Sequence, residues 1–227
     1  FEKAEDYDNA IVMYKRYAHT YKRPFDPAIE AHFKLDQIYA IQEEEEKRRF
    51  WLDKIITLHN RAGDDQTERS RYLASKAAFD LGEFDRKQFD SIAITLPLSK
   101  SIVKKNKAMQ GALKRYTQAV ELEVLEFTTP ATFHIGDMYA KFSQGLMDSE
   151  RPKGLDEVEA EEYDFLLEDQ AFPLEEAAIE IHQTNISRTY DGLYDVWVKN
   201  SFKSMAELMP GQYNKQEKAT SYVDQIR

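Results

Sequence analysis

The residues best able to do chemistry near neutral pH are five histidines, at positions 19, 32, 59, 134 and 182, and their spacing withholds the commonest use of them. No two stand three or four apart, so the imidazole pair that one helix face offers to zinc is absent. They read instead as helix-surface or half-buried rings. Ser101-Ile102-Val103-Lys104 has the Ser-x-x-Lys spacing of penicillin-binding enzymes, but the Ser-Asp-Asn and Lys-Thr-Gly partners are missing, and the lysine belongs to a basic run. Eight dispersed glycines form no phosphate-cradling loop, and without cysteine there is no thiolate. Paired carboxylates of the glycosidase kind must face each other across a cleft, which a helical sequence with 41 acids does not reveal. Most of those acids read as solubilising charge on helix exteriors. No catalytic residue, cofactor or metal ligand is assigned on this reading.

Charge is more informative. Acids outnumber the 31 lysines and arginines for a net charge of -10, which argues against a nucleic-acid binder, since phosphate backbones are held by clustered positive charge. Within that excess the signs separate. Residues 99–118 carry Lys100, Lys104, Lys105, Lys107, Lys114 and Arg115 with no acid, and residues 155–176 carry ten acids with no base. Two such stretches are expected to compensate each other in part within the monomer.

The elements carrying these residues are helices. Glycine and proline are scarce at 8 and 7 residues, and Ala, Leu, Glu, Lys and Gln recur, which is helix-forming composition. Apolar residues three and four apart predict helices over Asp8–Tyr21, Pro27–Glu44 with Asp26 as its cap, and about Phe50–Leu58. Further on, Gln66–Leu81 and Phe84–Leu96 are expected to be parted by Gly82, and Ser99–Thr129 to be one long helix. Thr129-Pro130 reads as a cap and start for a helix to Met147, and residues 149–154 as the longest loop. Leu155–Ala171, Leu174–Thr189 and Gly192–Leu208 complete the set, with Pro173 and Gly192 as kinks or breaks, before a weakly periodic tail holding Tyr213 and Tyr222. No apolar run of about 18 residues could span a bilayer. The first residue, Phe1, leaves room for an upstream signal peptide or lipid anchor.

A repeat lies inside the pattern. Ala31-His32-Phe33-Lys34-Leu35-Asp36-Gln37-Ile38-Tyr39-Ala40 overlays Ala131-Thr132-Phe133-His134-Ile135-Gly136-Asp137-Met138-Tyr139-Ala140 with four identities at an offset of 100 residues, close to three units of about 34. Tyr72–Phe79 reads as a weaker intermediate copy. Here the chain resembles the tetratricopeptide repeat, a helix-turn-helix unit: Ile135-Gly136 with Tyr139 matches its first-helix signature, Leu35 with Tyr39 matches apart from Asp36, and Ala10 with Tyr14 and Tyr17 looks like its second helix. The C-terminal half, through Asp148–Leu155, Gln170–Pro173 and Asp195–Lys199, is similar to the tails of helical-repeat proteins of proteobacterial envelopes.

These resemblances imply an all-α, right-handed superhelical stack of degenerate antiparallel helix pairs, with repeat-like pairs in 1–98 and a continuation of longer helices in 99–227. They imply a non-catalytic scaffold binding another protein or peptide segment in an envelope assembly, at the periplasm or the periplasmic face of the outer membrane, with the cytoplasm as the alternative. The inner surface would then carry Phe33, Gln37 and Ile41 from one copy and Phe133, Asp137 and Lys141 from the other. Lys141 could serve a carboxylate clamp, though the accompanying asparagine and lysine pattern is missing. Two rivals remain, a helical enzyme acting on envelope polysaccharide and a structural module whose groove its own helices fill. Tyr39 and Tyr139, in the same phase, are expected to lie between helices.

Overall fold

A computed structural model describes residues 6–214; the expectation for Tyr222 lies outside them. Its described residues form helices α1 (Tyr7–Thr20), α2 (Phe25–Ile41), α3 (Glu45–Arg61), α4 (Glu68–Asp90), α5 (Leu98–Glu121), α6 (Leu125–Met147), α7 (Glu157–Ser187), α8 (Val196–Leu208) and the short α9 (Pro210–Tyr213), with no strand among them. None is long and apolar enough to cross a membrane. The protein is therefore all-α, and its helices pair consecutively, α2 with α3, α4 with α5 and α6 with α7.

Several starts follow from local chemistry. Thr67 accepts from the Ser70 backbone amide while the Ser70 hydroxyl accepts from the Thr67 amide, both at 3.0 Å, and Asp156 with Glu159 repeats the exchange at α7. Asp195 accepts from the amides of Trp197 and Val198 and so opens α8. The turn at 62–65 closes as one 3-10 turn, Gly63–Asp65, and 148–156 is the long connection.

Other boundaries differ from the expected ones. Gly82 does not part α4, because it provides room for a neighbour: a Cβ there would stand 2.7 Å from the Tyr116 ring of α5. The helix expected over Ser99–Thr129 ends at Glu121, a tight turn holds Glu123 at φ 54°, and α6 starts at Leu125 with Pro130 inside it. Thr129-Pro130 is not a start; proline removes one donor, to the carbonyl of exposed Glu126, early in the helix. Pro173 likewise leaves α7 unbroken, removing one donor, to the carbonyl of exposed Asp169. Asp26 does not cap α2, whose N-cap is Pro24; it accepts from the Thr67 hydroxyl at 2.6 Å and ties the start of α2 to that of α4.

One apolar cluster, from Ile29 and Leu52 through Leu81, Met109 and Tyr116 to Met138 and Ala171, runs through α2 to α7, across the 98/99 line drawn from the sequence. A smaller one holds Leu35, Tyr39 and Trp51 against α1. The even-numbered helices also meet one another in series, α2 on α4, α4 on α6 and α6 on α8.

Candidate protein-binding face

The segments 31–40 and 131–140 have nearly the same alternation of buried and half-buried residues, and the alternation recurs at Ala77–Arg86. Ala31, Ala77 and Ala131 are buried, Phe33, Phe79 and Phe133 are half-buried, and Leu35, Leu81 and Ile135 are buried again. The offset of 100 thus divides into 46 and 54, and the intermediate copy is Ala77–Arg86 rather than Tyr72–Phe79. Its signal was legible as Ala-x-Phe-x-Leu-Gly.

The sixth residue of each segment faces the partner helix of its pair. Gly82 admits the Tyr116 ring, and Gly136 admits His182 of α7, whose Nε2 lies 2.8 Å from where a Cβ would stand. Asp36, nearly fully buried, instead accepts from Arg48 Nε of α3 at 2.9 Å. Burial raises the Asp36 pKa, against the lowering effect of Arg48.

The half-buried residues between these points build a polar rail along α4 and α6. The Tyr116 hydroxyl, entering over Gly82, donates to Glu83 Oε1 at 2.5 Å and accepts from Arg86 Nε at 3.2 Å. Arg86 also holds Glu83 at 2.7 Å and Asp90 at 3.0 Å. Lys141 joins Asp137 at 2.9 Å and approaches Asp90 at 3.9 Å. Burial works to raise the Glu83 pKa, but hydrogen bonds from Arg86 and Tyr116 and the charge beside it outweigh burial and hold it low. Tyr116 is pushed up, first by burial and then by the Glu83 carboxylate. Burial pushes His134 down, so the ring 3.5 Å from Glu83 is neutral near pH 7 and makes no ion pair. Its Nδ1 is buried without a hydrogen-bond partner.

Toward α8 the face becomes aromatic. Phe133 lies 5.5 Å, centroid to centroid, from each of His134, His182 and Trp197, and Trp197 meets His134 at 5.0 Å. Behind it, Thr129 donates to Asp195, Asn185 donates to Ser201 and to the Thr129 carbonyl, and Arg188 donates to Asn185. His182 Nδ1 lies 3.3 Å from the Ser201 hydroxyl, its Nε2 has no partner, and burial pushes its pKa down to about 4.

Of the residues singled out from sequence, Asp137 and Lys141 pair on α6, Lys141 beside Asp90, while Phe133 on the same helix packs toward His182 and Trp197. Phe33 lies under the Arg69 guanidinium at 5.8 Å, Gln37 is half-buried, and Ile41 is exposed at the end of α2. Tyr116 and Trp197 were missed because their partners lie on other helices, beyond periodicity, whereas Glu83 and Arg86 form an i, i+3 pair on α4 that was legible and not singled out. The histidines are more buried than expected: His32, His59 and His182 are core residues and only His19 is exposed. No ion pair joins 99–118 to 155–176 among the described residues. Arg115 pairs with Asp53, Lys105 is buried and donates to the carbonyls of Phe89 and Ile92, and Asp164 pairs with Arg151. No three His, Asp or Glu side chains among the described residues converge as a metal site needs.

The sequence matches no family model, and no curated protein or solved structure matches it.

Proposed function

We propose that the chain is a non-catalytic scaffold, a tetratricopeptide-like solenoid of stacked helix pairs whose even-numbered helices present one face to another protein or peptide segment. The observation that carries this reading is the threefold burial pattern at 31–40, 77–86 and 131–140 on helices that meet in series. Equivalent side chains then recur helix by helix, as they do where each repeat contacts only its neighbours. The open part of the face is at the C-terminal ends of these helices, where Ile41, Lys87 and Lys141 occupy equivalent places, because Trp197 covers Phe133 toward α8. The acids on the face support a non-catalytic role: Asp80, Glu83, Asp90 and Asp137 each stand against lysine or arginine, leaving no acid pair open across a cleft. A bacterial envelope assembly as the setting, on its periplasmic side, rests on the resemblance of the C-terminal half.

The test is affinity capture from a native envelope extract with the intact chain, the double variant Ile41→Asp, Lys141→Glu, and the distal variant Glu161→Lys. All three should give the same far-ultraviolet circular dichroism. Loss of the captured protein by the double variant alone is the expected result; equal capture by all three contradicts the assignment of the face.

A further inference from the structure

Two helices turn charge of opposite sign away from the body of the fold. On α5 the buried side holds Lys105, Met109, Ala112, Tyr116 and Ala119, and on the opposite side stand exposed Lys100, Lys107 and Lys114. On α7 the buried side holds Leu167, Ala171 and Ala178, and opposite it stand exposed Glu162, Asp169 and Glu176. None of these six charged side chains enters an ion pair among the described residues; the pairs made by the two stretches belong to Arg115 and Asp164.

The two rows share one spacing. Lysines and acids each recur every seven residues, two turns or about 10.5 Å, so the rows stay in register when one helix lies along the other. Lys107 then meets Asp169 in the middle whichever way the helices run. Between the charges the rows are apolar. Phe165 and Phe172, each three residues after an acid, are 69% and 62% exposed, and Val103, three residues after Lys100, is 67% exposed. Gly111, four residues after Lys107, presents no side chain to a ring laid over it. Rings this exposed between unpaired acids mark a contact surface rather than a solvated one.

We infer that α5 of one copy of this chain packs along α7 of another, with Lys107 on Asp169 and the phenylalanines covered between the charged pairs. A second copy is the partner because it carries the complementary row at the matching spacing. In a chain of net charge -10 the lysine row also gives two copies a favourable approach against their like net charge. The contact involves neither Ile41 nor Lys141, so it goes beyond the even-helix face and stands apart from it.

The test is sedimentation velocity on the full chain. Self-association is expected at about 0.05 M salt and should weaken by about tenfold or more at about 0.5 M. Lys107→Glu and Asp169→Lys should each raise the dissociation constant by about tenfold or more, and the double variant should return to within about threefold of the natural chain, all with the same far-ultraviolet circular dichroism. Carbodiimide cross-linking of an equal mixture of 14N and 15N chains should join Lys107 to Asp169 in mixed-isotope peptide pairs. A chain that stays monomeric at about 0.5 mM in low salt overturns the inference, as does self-association indifferent to both reversals or not regained by the double variant. Cross-links from Asp169 confined to one chain, those to Lys215 or Lys218 included, also overturn it. A monomer that captures a basic protein through Asp169 would give the acidic row to a different partner and refute the contact between copies.

Discussion

Segments 31–40 and 131–140 share four residues and almost one burial pattern, yet they solve the same crossing of helices in opposite ways. On α2 the sixth residue is a buried carboxylate answered by Arg48, and on α6 it is a glycine that lets a neutral imidazole fill the space. The backbone spacing is common to both; the neighbour decides whether charge or volume satisfies it. A glycine in a helix costs about 1 kcal/mol against alanine, so keeping Gly82 and Gly136 is reasonable only where a ring occupies the space of the missing Cβ.

Exchanging the two solutions breaks the comparison most severely. Gly136→Asp puts a carboxylate against His182 with no arginine to answer it, and should cost about 4 to 5 kcal/mol in urea unfolding, overpacking and unpaired buried charge together. A loss below about 1 kcal/mol would mean that α6 and α7 are not close at this point. Tyr39→Ala should cost about 3 kcal/mol, since Tyr39 is 2% exposed and packs with Leu35 and Trp51. Tyr139, equivalent in phase but only half-buried, should cost about half as much. Equal losses would refute the difference in burial between the copies.

Acid distinguishes the copies by sign. His182 has a folded pKa of about 4 against an ordinary 6.5, so above pH 6.5 both states leave it neutral; as pH falls toward 4 the unfolded state takes the proton first. Stability should fall by up to about 3 kcal/mol over that window, and the fall should shrink in His182→Gln. Asp36 acts oppositely. Its folded pKa is raised, so the penalty for its buried charge is present at neutral pH and relieved as pH falls through the folded value. Removing Asp36 should therefore make the chain lose more stability on acidification. A His182→Gln profile identical to that of the natural chain would show that the ring is not held neutral.

Smaller effects follow where a neighbouring charge remains or the pair is exposed. Asp36→Gly should cost about 1 to 3 kcal/mol, because Arg48 keeps Asp80 as a neighbour. Lys141→Ala, at a half-exposed pair with Asp137, should change stability by less than about 1 kcal/mol, and a larger change would make Lys141 a structural residue rather than a surface one.

Helical class, the Ala31 and Ala131 correspondence and the burial of Tyr39 were legible because each depends on residues within a turn or two of one another. Boundaries at Gly82, Pro130 and Pro173 were misread for one reason: glycine and proline punctuate a chain only where tertiary contacts or solvent do not accommodate them. Tyr116 accommodates Gly82, and Asp169, whose carbonyl Pro173 leaves without its donor, is an exposed residue. The middle copy escaped because its offsets of 46 and 54 depart from a 34-residue unit, α4 to α7 being longer than such units allow. Of the Glu83, Arg86, Tyr116 and His134 cluster only the i, i+3 pair of Glu83 and Arg86 is local; Tyr116 and His134 come from two other helices, and nothing in the sequence brings them to it.

The absence of cysteine makes one distance directly accessible. In the stacked reading α4 separates α2 from α6, so with axes of neighbouring helices about 8 to 10 Å apart the two should stand about 16 to 20 Å apart. Spin labels on Ile41→Cys and Lys141→Cys, read by pulsed electron paramagnetic resonance, should give a narrow distribution at about 20 Å, allowing for the label arms. A distribution near 10 Å would put α2 directly against α6 in a closed bundle and would contradict the stack on which the binding face depends.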